Sequence, residues 1–208
     1  DPMSNTMKET PLHAEHLALN ARMVDFAGWH MPVQYTGVIE EHENVRKNVG
    51  LFDVSHMGEV FVSGPKSLET LQWITSNDVS KLNDGQAQYS LLLNPNGGMV
   101  DDIIVYCIEK GSIYLVCVNA SNADKDFEWM KKNNKGAIIE NQSNKWAQIA
   151  IQGPKAVRLM SRVLGDWVAE IKYFEFKPDN RHGQTWYVAR TGYTGEDGYE
   201  CMIPAAKA

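Results

Sequence analysis

Val60-Phe61-Val62-Ser63-Gly64-Pro65-Lys66 decides the fold, because the chain repeats its plan at Ile149-Ala150-Ile151-Gln152-Gly153-Pro154-Lys155. Each copy is a run of β-branched and apolar residues, then Gly-Pro-Lys, then apolar residues at helical spacing. Leu68, Leu71 and Ile74 make the first helical stripe; Val157, Met160 and Val163 make the second. Proline suits a first helical turn, where its missing N–H costs little. Two copies are too few for a solenoid, which needs about three or more. The expectation is an α+β protein of pseudo-repeated antiparallel-sheet modules with helices.

Outward from these anchors, Ile103–Ile108 and Ile113–Val118 flank Glu109-Lys110-Gly111-Ser112 and read as a hairpin. Asn119-Ala120-Ser121-Asn122 opens a helix whose buried stripe is Ala123, Phe127 and Met130, with Ser121 or Asn122 as its cap. Residues 137–140, 146–151, 184–189 and 201–203 read as strands, and 177–183 as a polar loop. Gly165 closes the helix begun at Pro154. Upstream, Val38, Ile39, His42 and Val45 share one side of a helix over 38–48 that Gly50 stops. Phe26 to Tyr35 packs aromatics around Gly28 and Pro32 and reads as an irregular, partly buried segment. Three parts follow: 1–50, an N-terminal segment packed on the rest; 51–145, the first β–α module; and 146–208, the second.

A length of 208 residues, 43% hydrophobic and 22% charged, suits a globular chain with a real core. Net charge of −6 argues against a nucleic-acid surface, which would be a basic stripe. There is no run of about 18 apolar residues to span a membrane, and no secretory signal order at the N-terminus. Asp1-Pro2-Met3 reads as an added leader ahead of a native start. Cys107, Cys117 and Cys201 sit in apolar strand patterns and read as buried thiols of a reducing compartment. No Cys/His spacing suggests a metal site.

Chemistry concentrates in two stretches. In Leu93-Asn94-Pro95-Asn96-Gly97-Gly98-Met99-Val100-Asp101-Asp102-Ile103-Ile104-Val105-Tyr106, a tight turn feeds a strand that begins with two carboxylates. Alternation puts Asp101 with Ile103, Val105 and Cys107, and Asp102 with Ile104, Tyr106 and Ile108. Both faces are apolar, so the strand is covered on both sides. At least one aspartate then borders a core-like surface, where desolvation raises a carboxyl pKa. The plainer alternative, a pair that ends the strand in solvent, is favoured for at least one of them. The second stretch, Arg190-Thr191-Gly192-Tyr193-Thr194-Gly195-Glu196-Asp197-Gly198-Tyr199-Glu200, is a glycine-rich connection between strands. It lacks a phosphate-loop ending, and its acids would repel phosphate. An acid in such a pocket suits a ligand with adjacent N–H donors, such as a pterin edge. Asp53-Val54-Ser55-His56 is not a Ser/His/Asp triad, because neighbours on an extended chain alternate faces.

Four stretches together resemble the aminomethyltransferase, or T-protein, family of the glycine cleavage system. They are Phe26-Ala27-Gly28-Trp29 with Met31-Pro32-Val33-Gln34-Tyr35; Gly50 to Gly58; Gly97-Gly98-Met99-Val100-Asp101-Asp102; and Arg190 to Gly198. The module is also similar to the folate-binding part of dimethylglycine- and sarcosine-oxidizing enzymes, and more distantly to non-catalytic folate-binding accessory proteins. The oxidase reading is disfavoured because no Gly-x-Gly-x-x-Gly unit precedes these motifs.

The resemblance implies a folate-binding T-protein-like fold, here the first two domains of a three-domain cloverleaf around a folate channel. The chain is then an N-terminal fragment, with the C-terminal domain absent. It also implies a tetrahydrofolate-dependent transfer. The lipoyl arm of the H-protein delivers an aminomethyl group, ammonia leaves, and 5,10-methylenetetrahydrofolate forms. Residue by residue, it gives Asp101 the catalytic role beside the folate nitrogens and leaves Asp102 structural. It gives Glu196 the pterin edge, and places Tyr89, Met57 and Asn119 in or beside the folate pocket. The implied location is bacterial cytoplasm, or the mitochondrial matrix in a eukaryote.

Overall fold

The computed structural model describes residues 6–181 and 183–208; Asp1-Pro2-Met3 and His182 fall outside them. The Gly-Pro-Lys plan is realised twice. β4 (Gly58–Ser63) runs into α3 (Ser67–Ile74), and β9 (Trp146–Gln152) runs into α5 (Ala156–Leu164). Each helix starts just after the proline, which lies in a turn opened by a glycine of positive φ, +92° at Gly64 and +136° at Gly153. Gly153 is also a close approach: a Cβ there would lie 2.5 Å from the Asn48 carbonyl oxygen and 2.7 Å from that of Val45.

The remaining elements are α1 (His13–Ala18), β1 (Arg22–Phe26), β2 (Trp29–Gln34), α2 (Val38–Lys47), β3 (Gly50–Asp53), β5 (Gln86–Leu93), β6 (Met99–Glu109), β7 (Ile113–Val118), α4 (Ala123–Lys132), β8 (Ile138–Asn141), β10 (Phe176–Asp179), β11 (Trp186–Ala189) and β12 (Gly198–Pro204). They form two five-stranded antiparallel sheets, in the orders β5-β6-β7-β4-β8 and β10-β11-β12-β9-β3, plus the β1–β2 hairpin. The α+β class and the antiparallel modules are therefore as expected.

Strand alternation sorts the cores into layers. On the first sheet, Val60, Val62, Ile103, Val105 and Val116 pack under Leu71 and Ile74 of α3 and Met130 of α4. On the second, Ala147, Ile151, Val188 and Ile203 pack under Ala156, Met160 and Leu164 of α5. The opposite faces meet each other: Ala87, Tyr106, Leu115 and Cys117 of one sheet lie against Phe176, Ala189 and Met202 of the other. Burial of this kind stabilises by roughly 1.5–3 kcal/mol per large apolar side chain. Here it also creates a seam between two sheets, where the strand residues that face away from the helices converge.

Four expectations change. Residues 26–35 are not irregular: Ala27 (φ 52°) and Gly28 (φ 84°) make the two-residue turn of the β1–β2 hairpin, closed by the Gly28 N–H to Asp25 Oδ1 at 2.9 Å. Alternation is masked there because only Met31 of the hairpin is buried. α2 forms where expected, but its apolar side is not covered: Ile39 is 77% exposed, and only Val45 is buried. β3 pairs with β9, so residues 51–53 belong to the second sheet rather than to the first module. Residues 176–179, partly assigned to a polar loop, form the edge strand β10, where Pro178 is tolerated.

Candidate functional site

The Asn94–Gly98 turn closes as its residues dictate. The Gly97 N–H donates to the Asn94 carbonyl at 2.9 Å, and Asn94 Oδ1 accepts from the Asn96 and Gly98 N–H groups at 3.0 Å each. A bulge at Val100 follows, where Leu92 and Leu93 pair with Asp101 and Met99. The two aspartates then point to opposite faces of β6.

Asp101 points under α4 and is 3% exposed. Its carboxylate accepts from the Asn119 N–H (3.1 Å), Asn119 Nδ2 (2.9 Å) and Asn122 Nδ2 (2.8 Å). Ser121 or Asn122 was expected to cap α4; Asn122 holds the cap position but makes no side-chain cap bond and is turned to this carboxylate instead. Behind Asp101 lies Asp126, wholly buried in the first turn of α4. Burial alone would raise Asp101, but the hydrogen bonds from Asp126, Asn119 and Asn122 outweigh it and hold the carboxyl below its usual range. The raised pKa expected for this stretch belongs to Asp126. Burial first, then Asp101 beside it, lift Asp126 to about 8. No N–H or O–H donor reaches either Asp126 oxygen, and the group stands beside the Asp101 carboxylate.

Asp102 faces the seam. Its Oδ2 accepts from the Tyr89 hydroxyl at 3.2 Å and its Oδ1 from Asn119 Nδ2 at 2.9 Å. Asp102 is partly exposed and Tyr89 is 53% exposed, so this end of the seam is open to solvent. Of the two aspartates, Asp102 is the more exposed. Asp101, the one expected to react, is saturated by donors and covered by the helix, while Asp102, expected to be structural, is the more accessible of the two.

Deeper in the seam lies a polar group drawn from both sheets. Gln148 of β9 donates Nε2 to Glu200 Oε2 of β12 at 2.9 Å, and Cys117 of β7 donates to Gln148 Oε1 at 3.6 Å. Burial pushes the Glu200 carboxyl above its usual range, against hydrogen-bonding groups from Thr191 and Gln148. Glu59, fully buried on β4, has both oxygens without a donor, and burial raises it well above its usual value. The buried Tyr106 and Thr191 hydroxyls also lack a well-formed bond. Met57 packs at the edge of this core and His56 meets Phe26 edge-on at 5.5 Å.

Glu196 is held elsewhere. Its Oε1 accepts from Arg46 Nη1 of α2 at 3.1 Å, and its backbone N–H donates to Thr194 Oγ1 at 3.2 Å. Arg190 clamps Asp197 through two bonds of 2.7 and 2.6 Å, which closes the glycine-rich loop and aims β12. The acid of this stretch that enters the seam is Glu200, four residues on. Asp53 pairs with His16 (2.7 Å) and Thr10 (2.6 Å), not with His56, so no triad forms. Among the described residues, no group of His, Cys, Asp and Glu is arranged to hold a metal ion, and no helix is long and apolar enough to cross a membrane.

Residues 12–208 match the family described as the GCVT N-terminal domain. The chain belongs to that family. It is 66% identical, over 96% of its length, to an aminomethyltransferase of Bdellovibrio bacteriovorus, and 47% identical, over 97%, to one of Thermotoga maritima. It spans about half the length of these curated relatives, 56% of each. The crystal structure of the glycine cleavage system aminomethyltransferase T of Bartonella henselae matches 97% of this chain and 55% of its own, at TM-score 0.88 and 33% identity. A heterotetrameric sarcosine oxidase of Corynebacterium matches 96% of this chain and 88% of its own, at TM-score 0.55 and 9% identity, a likeness of fold alone. The family resemblance read from the four motifs therefore holds.

Three residues escaped the sequence reading. Asn122 and Asp126 stand at helical spacing after Asn119, a polar stripe flanking the apolar one. Glu200 has the strand parity of Met202, opposite to Tyr199 and Cys201, which marks it for the other face.

Proposed function

We propose that this chain is the folate-binding part of an aminomethyltransferase of the glycine cleavage system. In this reading it takes an aminomethyl group from the lipoyl arm of the H-protein, releases ammonia and yields 5,10-methylenetetrahydrofolate, in the bacterial cytoplasm. The observation that carries it is the seam. Asp102, Tyr89 and Asn119 stand at its open end, and Glu200 with Gln148 lies deeper among buried polar atoms that lack partners.

Those unpartnered atoms fit a flat, polar heterocycle better than an apolar ligand, because a buried polar group left unmade costs about 1–3 kcal/mol. A carboxylate accepts two adjacent N–H donors side by side, the pattern of a pterin edge. Glu200 has the position for this, and it takes the role expected of Glu196. Met57 supplies apolar wall. Bound folate supplies the nitrogens that accept the one-carbon unit.

The protein's own residues supply orientation and charge. Asp102 presents an anion where positive charge develops as sulfur leaves, and a fixed anion there lowers the barrier. Asp101, held below its usual pKa, is a weak base, so it steadies Asn119 and Asp102 rather than taking a proton.

Calorimetric titration of tetrahydrofolate tests the site, using the full-length protein beside its Glu200→Gln and Glu196→Gln variants. Glu200→Gln should weaken binding roughly tenfold or more, the worth of a charge-assisted bond, and Glu196→Gln should leave it within about twofold. The reverse order would return the pterin to Glu196, and no binding by any of the three would remove the folate reading.

A further inference from the structure

The acid that the Asp102 group does not itself use is Asp126. It is wholly buried, neither oxygen has a donor, and it faces the saturated Asp101 carboxylate. Three carboxyl groups are thus gathered between α4 and the seam: Asp126 beside Asp101, and Asp101 and Asp102 joined through the Asn119 side chain. Three negative charges so close would repel, and burial of an unpaired one is costly.

We infer that Asp126 is a positioning residue of the transfer site: it stays a neutral acid, donates its proton to Asp101, and so fixes Asn119 and the Asp102 carboxylate toward the seam. This rests on the function proposed above. The groups facing Asp126 are few. Asp101 and Asp102 of β6 oppose its ionisation, and Lys125 of its own helix favours it. Lys125 is committed to the Val100 carbonyl at 2.8 Å. The side chains that β4 and β8 turn toward α4 are Val60, Val62 and Ile139, while Glu59 has the opposite parity and lies in the seam. Losing the Asp126 proton would put two like charges face to face and loosen the group that holds Asp102. Its loss belongs near pH 8, inside the range where enzymes are assayed.

The test uses the full-length protein in three forms: wild type, Asp126→Asn and Asp126→Leu. Asparagine keeps a donor toward Asp101 and cannot ionise; leucine keeps bulk and offers no donor. The infrared difference between wild type and Asp126→Asn at pH 7 should contain a protonated-carboxyl carbonyl band, separate from that of the buried Glu59, which both proteins keep. Transfer by Asp126→Asn should stay within about threefold of wild type and lose the fall in kcat above about pH 8. Asp126→Leu should lose roughly ten- to hundredfold in kcat with the folate KM little changed. Absence of such a difference band would overturn the inference, as would equal kcat in the leucine and wild-type proteins, or an alkaline fall that persists in the asparagine variant. The infrared arm is independent of transfer: a band lost on substitution, in a wild-type protein that transfers nothing, would overturn the proposed function and leave the neutral acid standing.

Discussion

Replacing Asp53 by alanine should undock the N-terminal segment from the second sheet. The Asp53 side chain is fully buried at the end of β3. It accepts from Thr10 Oγ1 at 2.6 Å, from His16 Nε2 at 2.7 Å and from the Ser55 N–H at 3.0 Å. His16 in turn meets the Tyr35 hydroxyl at 2.7 Å, so one carboxylate ties α1 and the end of the β1–β2 hairpin to the sheet. A hydrogen bond to a charged acceptor contributes about 1.5–3 kcal/mol. Three that share one acceptor do not add, and removing one partner of a buried charge network costs about 3–5 kcal/mol. That is a fifth or more of the usual ~5–15 kcal/mol. The difference between variant and wild type, from urea unfolding at pH 7, should fall in this range. Burial alone would raise Asp53, but bonds from Ser55, Thr10 and His16 outweigh it, so the folded pKa lies below the unfolded one. The carboxylate's stabilisation is then complete above the unfolded value of about 3.9 and disappears as pH falls through the folded value. The gap between the proteins should therefore narrow only below about pH 4. A loss under about 1 kcal/mol at pH 7, or unchanged amide exchange in β1 and β2, would refute the clamp.

Gly153→Ala meets both a positive φ and two backbone carbonyls at under 3 Å, neither of which can yield like a side chain. It should cost more than the ~1–2 kcal/mol of a left-handed residue alone, read as a lower urea midpoint. Gly97→Ala, also at positive φ but with open space around it, should cost only about that amount and serves as its control.

What could be read in advance followed from local chemistry. The Gly-Pro-Lys echo, the 109–112 hairpin and the α4 stripe each depend on residues close in sequence, and each formed. The β1–β2 hairpin was hidden because its alternation serves a shallow surface. The pairing of β3 with β9 was not legible, because β9 lies far along the chain and pairing across that distance leaves no local mark. The same distance explains the site. That one of two adjacent aspartates would border a core was legible; which one remained open to a ligand depended on α4 and Asn119. The motif pointed to Glu196, but only the packing of β12 against β9, with Arg190 clamping Asp197, sends Glu200 into the seam and Glu196 to Arg46.

The central claim is that Asp102 is the anion facing the reacting atoms, and the most direct measurement is carrier-dependent formation of methylenetetrahydrofolate by the full-length protein and its Asp102→Asn variant. A neutral isostere keeps the bonds from Tyr89 and Asn119 but removes the charge, so turnover should fall by roughly a hundredfold or more while folate affinity changes by only a few-fold. Near wild-type turnover in Asp102→Asn, with turnover abolished in an equally folded Asp101→Asn, would contradict this account and give the charge to Asp101.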